Sequence, residues 1–513
     1  MKHGLPKLLS VAMMPFICSW SLSAETANGV VFDDANHNGT LDGGERGISG
    51  VKVSNGEAVV VTNSKGKYSI PVESDAIIFI SKPSGWSTPL DRDNHPKFYY
   101  IHSEKGSPKM AFRRIEPTGA LPKSIDFPLT KSLLGAKYQV LVFGDTQPYN
   151  VKQAEDFTHE IAEQLIGNTA AFGVTLGDVV GNVLSLHPII SDAHAKIGTP
   201  WRFVPGNHDR NYDSGSADHE YDSFKSLFGP TYYSYDEGKA HFVVLEDIAG
   251  EGKTGYKQGI GEKELTWLKN DLAKTPKDRL VVLMMHIPLL ENVKERKEIL
   301  QAIAPFKNTL SLAAHWHTQK HGFLGKGQGW PLNTPHNCVV VGTTCGCWWS
   351  GELDEVALPM ALMADGTPQG YIVMSVDGTN YKLRYQVSRR PADYQMNITI
   401  PDGLASTETK GVEVVANIFL GSEKSIVEMS VDGGPWTSMK REERNDPNVD
   451  RIVALQNEKK LPASGSTISD PEKCSHLWVG NLPYLASGMH VVTVRTTDVF
   501  GQTYVGRRIV HVK

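Results

Sequence analysis

Cysteine is scarce in this chain of 513 residues: there are five. Cys18 falls in the amino-terminal stretch, which leaves Cys338, Cys345, Cys347 and Cys474. Four are too few for a small disulfide scaffold. In an oxidising compartment they allow two disulfides in any of about three connectivities, with Cys474 tying the carboxyl-terminal region to the rest. Zinc-finger spacing is missing as well, because Cys345 and Cys347 are one residue apart and no matching pair follows. Long apolar runs are confined to the start. Lys2 and Lys7 precede the run from Leu8 to Leu22, which Pro15 interrupts and Ser23 and Ala24 follow, the pattern of a secretory signal over residues 1–24. The run is too short for a membrane span, and no other segment reads as one. Cys18 follows Phe16 and Ile17 without the small residue expected before a lipid-bearing cysteine. The mature chain is therefore expected to be periplasmic or secreted, with no transmembrane anchor. Positive charge is also lacking. The formal charge is −5, and removing residues 1–24 takes away two lysines and no acid, giving −7. Bulk nucleic acid is excluded as a partner on that balance.

What is present divides into three parts. Residues 25–128 alternate short β-rich runs with turns, and Asn55-Gly56 and Ser64-Lys65-Gly66 read as hairpin signals, which predicts an amino-terminal all-β sandwich. Over 135–390 strands alternate with longer amphipathic stretches such as VKQAEDFTHEIAEQLIG and GEKELTWLKNDLAK, an α/β pattern in which Trp267, Leu268 and Leu272 fall on one helical face as core. Over 391–513 the β alternation returns, in GVEVVANIFL, SIVEMSVDG, HVVTVRTTD and YVGRRIVHV, and predicts a second all-β sandwich.

The middle part carries five motifs in order: FGDTQ at 143–147, LGDVVGN at 176–182, GNHD at 206–209, MMHIP at 284–288 and AHWHT at 314–318. Each closes an apolar, partly β-branched run, so each sets its polar residues just past the carboxyl end of a predicted buried strand, the edge where open α/β sheets gather ligands. Any one of them alone is an ordinary turn or cap. Together they supply Asp145, Gln147, Asp178, Asn207, His286, His315 and His317, a carboxylate able to bridge plus several neutral donors. Two-metal hydrolysis of a phosphate ester needs that donor set. His187, His194, His219, His241, His321 and His336 lack such context and read as surface or internally satisfied.

The ordered set resembles the calcineurin-like metallophosphoesterase family over roughly residues 137–385. The resemblance implies a β-sandwich core flanked by helices. It implies two divalent metal ions, the first held by Asp145, Gln147 and His317, the second by Asn207, His286 and His315, with Asp178 bridging. It also implies that His208 faces substrate, with Asp209 hydrogen-bonded to its imidazole, and that Asn182 and Arg210 contact phosphate. Gln147 stands where many relatives have His, which resembles a branch that includes manganese-dependent nucleotide-diphosphate hydrolases. An amide oxygen is a harder donor than imidazole, so manganese is favoured over iron or zinc. Ala314 replaces the usual Gly of the last motif, and no tyrosine sits where a ferric tyrosinate centre would need one.

Two further features lie outside the motifs. DANHNGTLDGGE at 34–45 places Asp34, Asn36, Asn38, Asp42 and Glu45 at calcium-loop positions between strands, as in calcium-stiffened loops of surface β-sandwiches, and suggests a structural calcium ion. Trp348 and Trp349 follow the last motif and are expected to line the approach to the metals. The reading is an exported dinuclear phosphoesterase that cleaves a small phosphate mono- or diester by attack of a metal-bound hydroxide. Two rivals are a pyrophosphate-bond hydrolase, suggested by Gln147, and a catalytically silent surface binding protein whose sandwiches do the work.

Overall fold

In a computed structural model the described residues are 25–251, 255–458, 460 and 466–513. The signal peptide read at 1–24 lies outside them. All five motif-bearing runs form strands. Lys137–Phe143, Phe172–Leu176 and Trp201–Val204 pair in parallel, and Gly370–Asp377 and Asn380–Val387 extend that sheet antiparallel to five strands. Leu280–Met284 and Asn308–Ala313 are parallel neighbours inside a second sheet of six strands, which also holds Ala240–Val244 and His336–Val340. Parallel strands need crossovers and are covered on both faces, hence their nearly unbroken apolar runs.

The two sheets face each other through one core, in which Val142, Val174 and Leu176 meet Phe242, Val244 and Val282. The outer face of the five-stranded sheet, with Leu141, Phe143, Trp201 and Phe203, packs under the helices Val151–Phe157 and His187–Ile197. The first predicted amphipathic stretch thus begins as an α-helix, capped by the Asn150 side chain, and continues through a wider turn over Thr158–Ala162. The second is the helix Glu262–Ala273, with Trp267, Leu268 and Leu272 buried. Among the described residues no helix is long and apolar enough to cross a membrane.

The amino-terminal part is two four-stranded sheets, one containing Glu25–Asp33 and Lys67–Val72, the other Lys52–Ser54, Val59–Val61 and Asp75–Ser81. Asn55-Gly56 does turn between paired strands. The Ser64-Lys65-Gly66 turn does not make a hairpin within one sheet, because Val59–Val61 and Lys67–Val72 belong to opposite sheets and the turn carries the chain across. Polar side chains join this part to the centre: buried Lys52 lies 2.6 Å from Asp271, which also accepts from His241 Nε2 at 2.7 Å and from Ser234.

The carboxyl-terminal part is again two four-stranded sheets, built on Glu413–Ile418 with Cys474–Asn481 and on Ile426–Val431 with Gly488–Thr497 and Thr503–Val512. It adds a helix, Pro447–Asn457, with Asp446 as its cap and Pro447 in its first turn. The anticipated disulfides are absent. All four cysteines are free and buried, and three have other neighbours: Cys345 Sγ near His317 Nδ1 at 3.7 Å, Cys347 Sγ near Ser469 Oγ at 3.1 Å, and Cys474 Sγ near His476 Nδ1 at 3.4 Å. Cys474 therefore ties nothing covalently. The tie is polar instead: His476 Nε2 lies 3.1 Å from buried Asp365, whose carboxylate accepts the backbone N–H of Gln319, two residues past His317.

Candidate metal centre

Three motifs come from the ends of one sheet and two from the other, so the seven donors meet where the two parallel edges converge. Local backbone geometry aims them. Gln147, Asp178, Asn182, His315 and His317 all have left-handed backbone, with φ between 35 and 71°. Non-glycine residues take that conformation only where the surroundings impose it. Packing between them is close: a Cβ on Gly177 would lie 2.4 Å from His286 Nδ1, and one on Gly206 would lie 2.0 Å from the Asp178 backbone nitrogen.

Asp178 sits in the middle. Its Oδ1 accepts the His208 backbone N–H at 2.8 Å, and its Oδ2 lies 3.2 Å from His286 Nε2 and 3.3 Å from Gln147 Nε2. On one side, His286 Nε2 is 3.1 Å from Asn207 Oδ1 and 3.0 Å from His315 Nδ1. On the other, His317 Nε2 is 3.2 Å from Asp145 Oδ2. Asp178, His286 and His315 bring one ligand atom each within 4.8 Å of one another. The far ring nitrogens are anchored to main-chain oxygens: His286 Nδ1 donates to Leu176 O at 2.8 Å and His317 Nδ1 to Gly346 O at 2.9 Å, which directs both Nε2 atoms inward. Gln147 Oε1 is buried without a hydrogen-bond partner, and Asp145 Oδ2 has the His317 ring nitrogen as its one polar neighbour. Both oxygens belong to the donor set and have a lone pair free for a cation.

The electrostatics agree. Burial disfavours charge on His286, but the Asp178 carboxylate beside it outweighs that and raises the imidazole to about 10. Asp178 is lowered in turn, against its own burial, chiefly by His286. His315 is pushed down to about 4 by burial and then by the charge on His286. A divalent cation bound here would compete with protons for the same lone pairs.

His208 borders this centre, with Nε2 4.0 Å from Asp178 Oδ2. Its Nδ1 is held at 2.7 Å by Asn182 Oδ1, which also accepts from Tyr212 OH at 3.0 Å. The orienting group is thus Asn182, and Asp209 does not reach the His208 ring. Asp209 is fully buried and accepts the backbone N–H groups of Val179, Val180 and Gly206 at 3.1, 3.2 and 2.8 Å, besides His187 Nε2 at 2.9 Å. It braces the second motif against the third. Arg210 is likewise engaged: it is 2% exposed and bonded to Glu220 at 3.1 Å and to Gly255 O at 2.9 Å.

The two tryptophans part company. Trp348 is 39% exposed and stacks on the His317 ring, centroids 4.1 Å apart. Trp349 is 4% exposed, and its Nε1 donates to Thr146 O at 2.8 Å. It is core beneath the site. In the 34–45 loop Asp34, Asn36, Asn38, Asp42 and Glu45 bond one another or nearby backbone N–H groups, with Asn36 and Asn38 both donating to Asp42. Residues not picked out by the motifs but touching the centre are Tyr149, Tyr212 and Tyr256. Tyr149 lies two positions past Gln147, and that proximity was its one signal.

Fold and donor set together define a metal-dependent phosphoesterase. The sequence matches the calcineurin-like phosphoesterase family over 138–319, its N-terminal accessory domain over 35–116 and its C-terminal accessory domain over 339–504. The chain belongs to that family, a family of phosphoric ester hydrolases. No curated protein sequence matches it. Among solved structures it is similar to purple acid phosphatase PPD1 from yellow lupin (Lupinus luteus) seeds, at 12% identity and TM-score 0.34, over 71% of this chain and 66% of that one. It is also similar to Vacuolar Protein Sorting 29 from Cryptosporidium parvum, at 13% identity and TM-score 0.23, over 50% and 93% of the two chains.

Proposed function

We propose that this chain is an exported dinuclear enzyme that hydrolyses a small phosphate mono- or diester. The observation that carries the reading is that the seven donors lie together about Asp178, with Gln147 Oε1 buried and without a hydrogen-bond partner and Asp145 Oδ2 held by the His317 ring alone. Divalent ions held by these residues would supply charge neutralisation on the phosphoryl oxygens and acidify the attacking water. The chain's own residues do the rest. Asn182 fixes His208 through Nδ1, so Nε2 is the atom left to give a proton to the departing oxygen. Tyr212 keeps Asn182 in place.

Gln147, with its free amide oxygen, supports manganese at the first position. Arg210 is spent on Glu220, which favours a single ester phosphate over a pyrophosphate substrate. The completeness of the donor set counts against a silent binding protein. Export rests on residues 1–24, and the calcium reading on the pattern of the 34–45 loop.

The test is metal-dependent turnover. The mature chain is stripped with chelator, reloaded with manganese, zinc or calcium, and assayed on aryl phosphate mono- and diesters beside ADP-ribose. Ester hydrolysis restored by manganese and abolished in Asp178→Asn and His208→Ala is expected. Full turnover in both variants, or none under any metal, would sink the reading, and cleavage of ADP-ribose alone would transfer it to pyrophosphate bonds.

A further inference from the structure

We propose that the mouth of the centre is an aromatic collar that selects phosphate esters bearing a planar aromatic ring, whether an aryl group or a nucleobase. This rests on the hydrolytic reading above and adds its substrate class. Three large rings lie open at the site, each against a different histidine. Trp348 lies nearly flat on His317, at 26° and 4.1 Å. Tyr256 meets His315 edge-on at 5.9 Å, its OH 3.3 Å from Nε2. Tyr149 meets His208 edge-on at 6.1 Å, its OH 3.3 Å from Gln147 Nε2. The collar thus touches both predicted metal positions and the proton donor.

These rings are 39%, 36% and 38% exposed, in the order Trp348, Tyr256, Tyr149. Apolar surface held open beside convergent polar groups marks a ligand site. The segment that carries Trp348 is built to hold it there. Trp348 and Trp349 are consecutive left-handed residues, with φ of 50 and 55°, a conformation kept only when contacts over-determine it. The contacts come from below: Trp349 is pinned in the core by Thr146 O, and the Gly346 carbonyl of the same turn accepts from His317. One turn therefore sets the orientation of a ligand and the position of the ring that covers it.

The charge pattern narrows the class. With the guanidinium of Arg210 engaged by Glu220 and the Gly255 carbonyl, a second phosphate gains no guanidinium from the residue that follows the third motif. What the mouth offers beyond the metals is π-surface and phenolic hydroxyls. These suit a flat ring with polar edges.

The experiment compares substrates matched for leaving-group acidity but not for planarity: benzyl against cyclohexylmethyl phosphate, and thymidine 5′-phosphate against 2-deoxyribose 5-phosphate. The parent chain, Trp348→Ala and Trp348→Phe are compared, each with its manganese content measured. Binding of benzylphosphonate and cyclohexylmethylphosphonate, which cannot be hydrolysed, is measured by calorimetry on the manganese-loaded protein. The expected result is an aromatic preference of about tenfold in kcat/KM and in affinity, falling to roughly twofold or less in Trp348→Ala and recovering in Trp348→Phe. A positive benzyl pair or a positive nucleotide pair supports the collar and tells its two sources apart. Ratios near one in the parent for both measurements, or a preference that survives both Trp348→Ala and Tyr256→Ala, overturn it. If nothing is hydrolysed but benzylphosphonate still binds selectively, the hydrolytic reading fails while the collar stands.

Discussion

Replacing Asp209 by alanine separates a brace from a catalytic group. The carboxylate is fully buried and accepts four hydrogen bonds, from the backbone of Val179, Val180 and Gly206 and from His187 Nε2. Asp209→Ala would leave those donors without an acceptor in a site closed to solvent. An orphaned buried donor costs about 1–3 kcal/mol, and admission of a water molecule would recover part of the sum, so a loss of about 4 kcal/mol is expected. Asp209→Asn should recover less than half of it, since one end of the amide would point N–H at N–H. Denaturant unfolding followed by near-ultraviolet circular dichroism is a suitable assay, with a lower midpoint at unchanged slope as the expected signature. Asn182→Ala is the counterpart: it should leave the midpoint near that of the parent and alter the pH–rate limb set by proton donation. If Asp209→Ala keeps the parental midpoint while activity disappears, the brace is wrong and Asp209 acts on the reaction itself.

Three other outcomes follow from the same geometry. His194 and His336 are lowered by burial to about 3 and His321 to about 4, so all three are neutral when folded, whereas in the unfolded chain they take up protons near pH 6.5. The unfolded state then binds more protons below that pH, so stability is fully present above about 6.5 and falls as pH drops toward 4, which a series of thermal melts would register. Lys52→Met removes the cation beside buried Asp271 and is expected to cost about 3–5 kcal/mol in denaturant unfolding, whereas an exposed pair such as Lys137 with Asp377 should cost less than about 1 kcal/mol. Gln147→His supplies a softer donor to the first metal position, and competitive titration should show zinc gaining on manganese by about tenfold; unchanged selectivity would remove Gln147 from the metal's choice.

The sandwich and its five strand ends were legible because the motif-bearing strands are short, apolar and β-branched, each stopping at polar residues, and because both edges share one direction. What escaped were relations between strands. Asp209 follows His208 directly in sequence, which suggested a pair, but the 3₁₀ turn at Asn207–Asp209 points its carboxylate back toward Val179 on the neighbouring strand end. The pairing of Arg210 was hidden for a similar reason, since Glu220 lies on a separate turn. The thiols carry no spacing rule that says which of them meet. The helix at Pro447–Asn457, by contrast, had a readable start in Asp446-Pro447, passed over within an otherwise β-rich stretch.

Asp365 has a consequence beyond its local bonds. It receives the backbone of Gln319 from beside the metal ligands and the ring of His476 from the last domain, while Val53, Phe242 and Phe419, one from each part of the chain, belong to a single apolar cluster. The accessory domains are therefore not beads on a string around an independent enzyme. Cutting near residue 390 would strand a buried carboxylate and open the core, so the parts should melt together and proteolysis should yield no active central fragment. Insertions that diversify such an enzyme are best tolerated at the outer loops of the two sandwiches, where neither this carboxylate nor the shared core is touched.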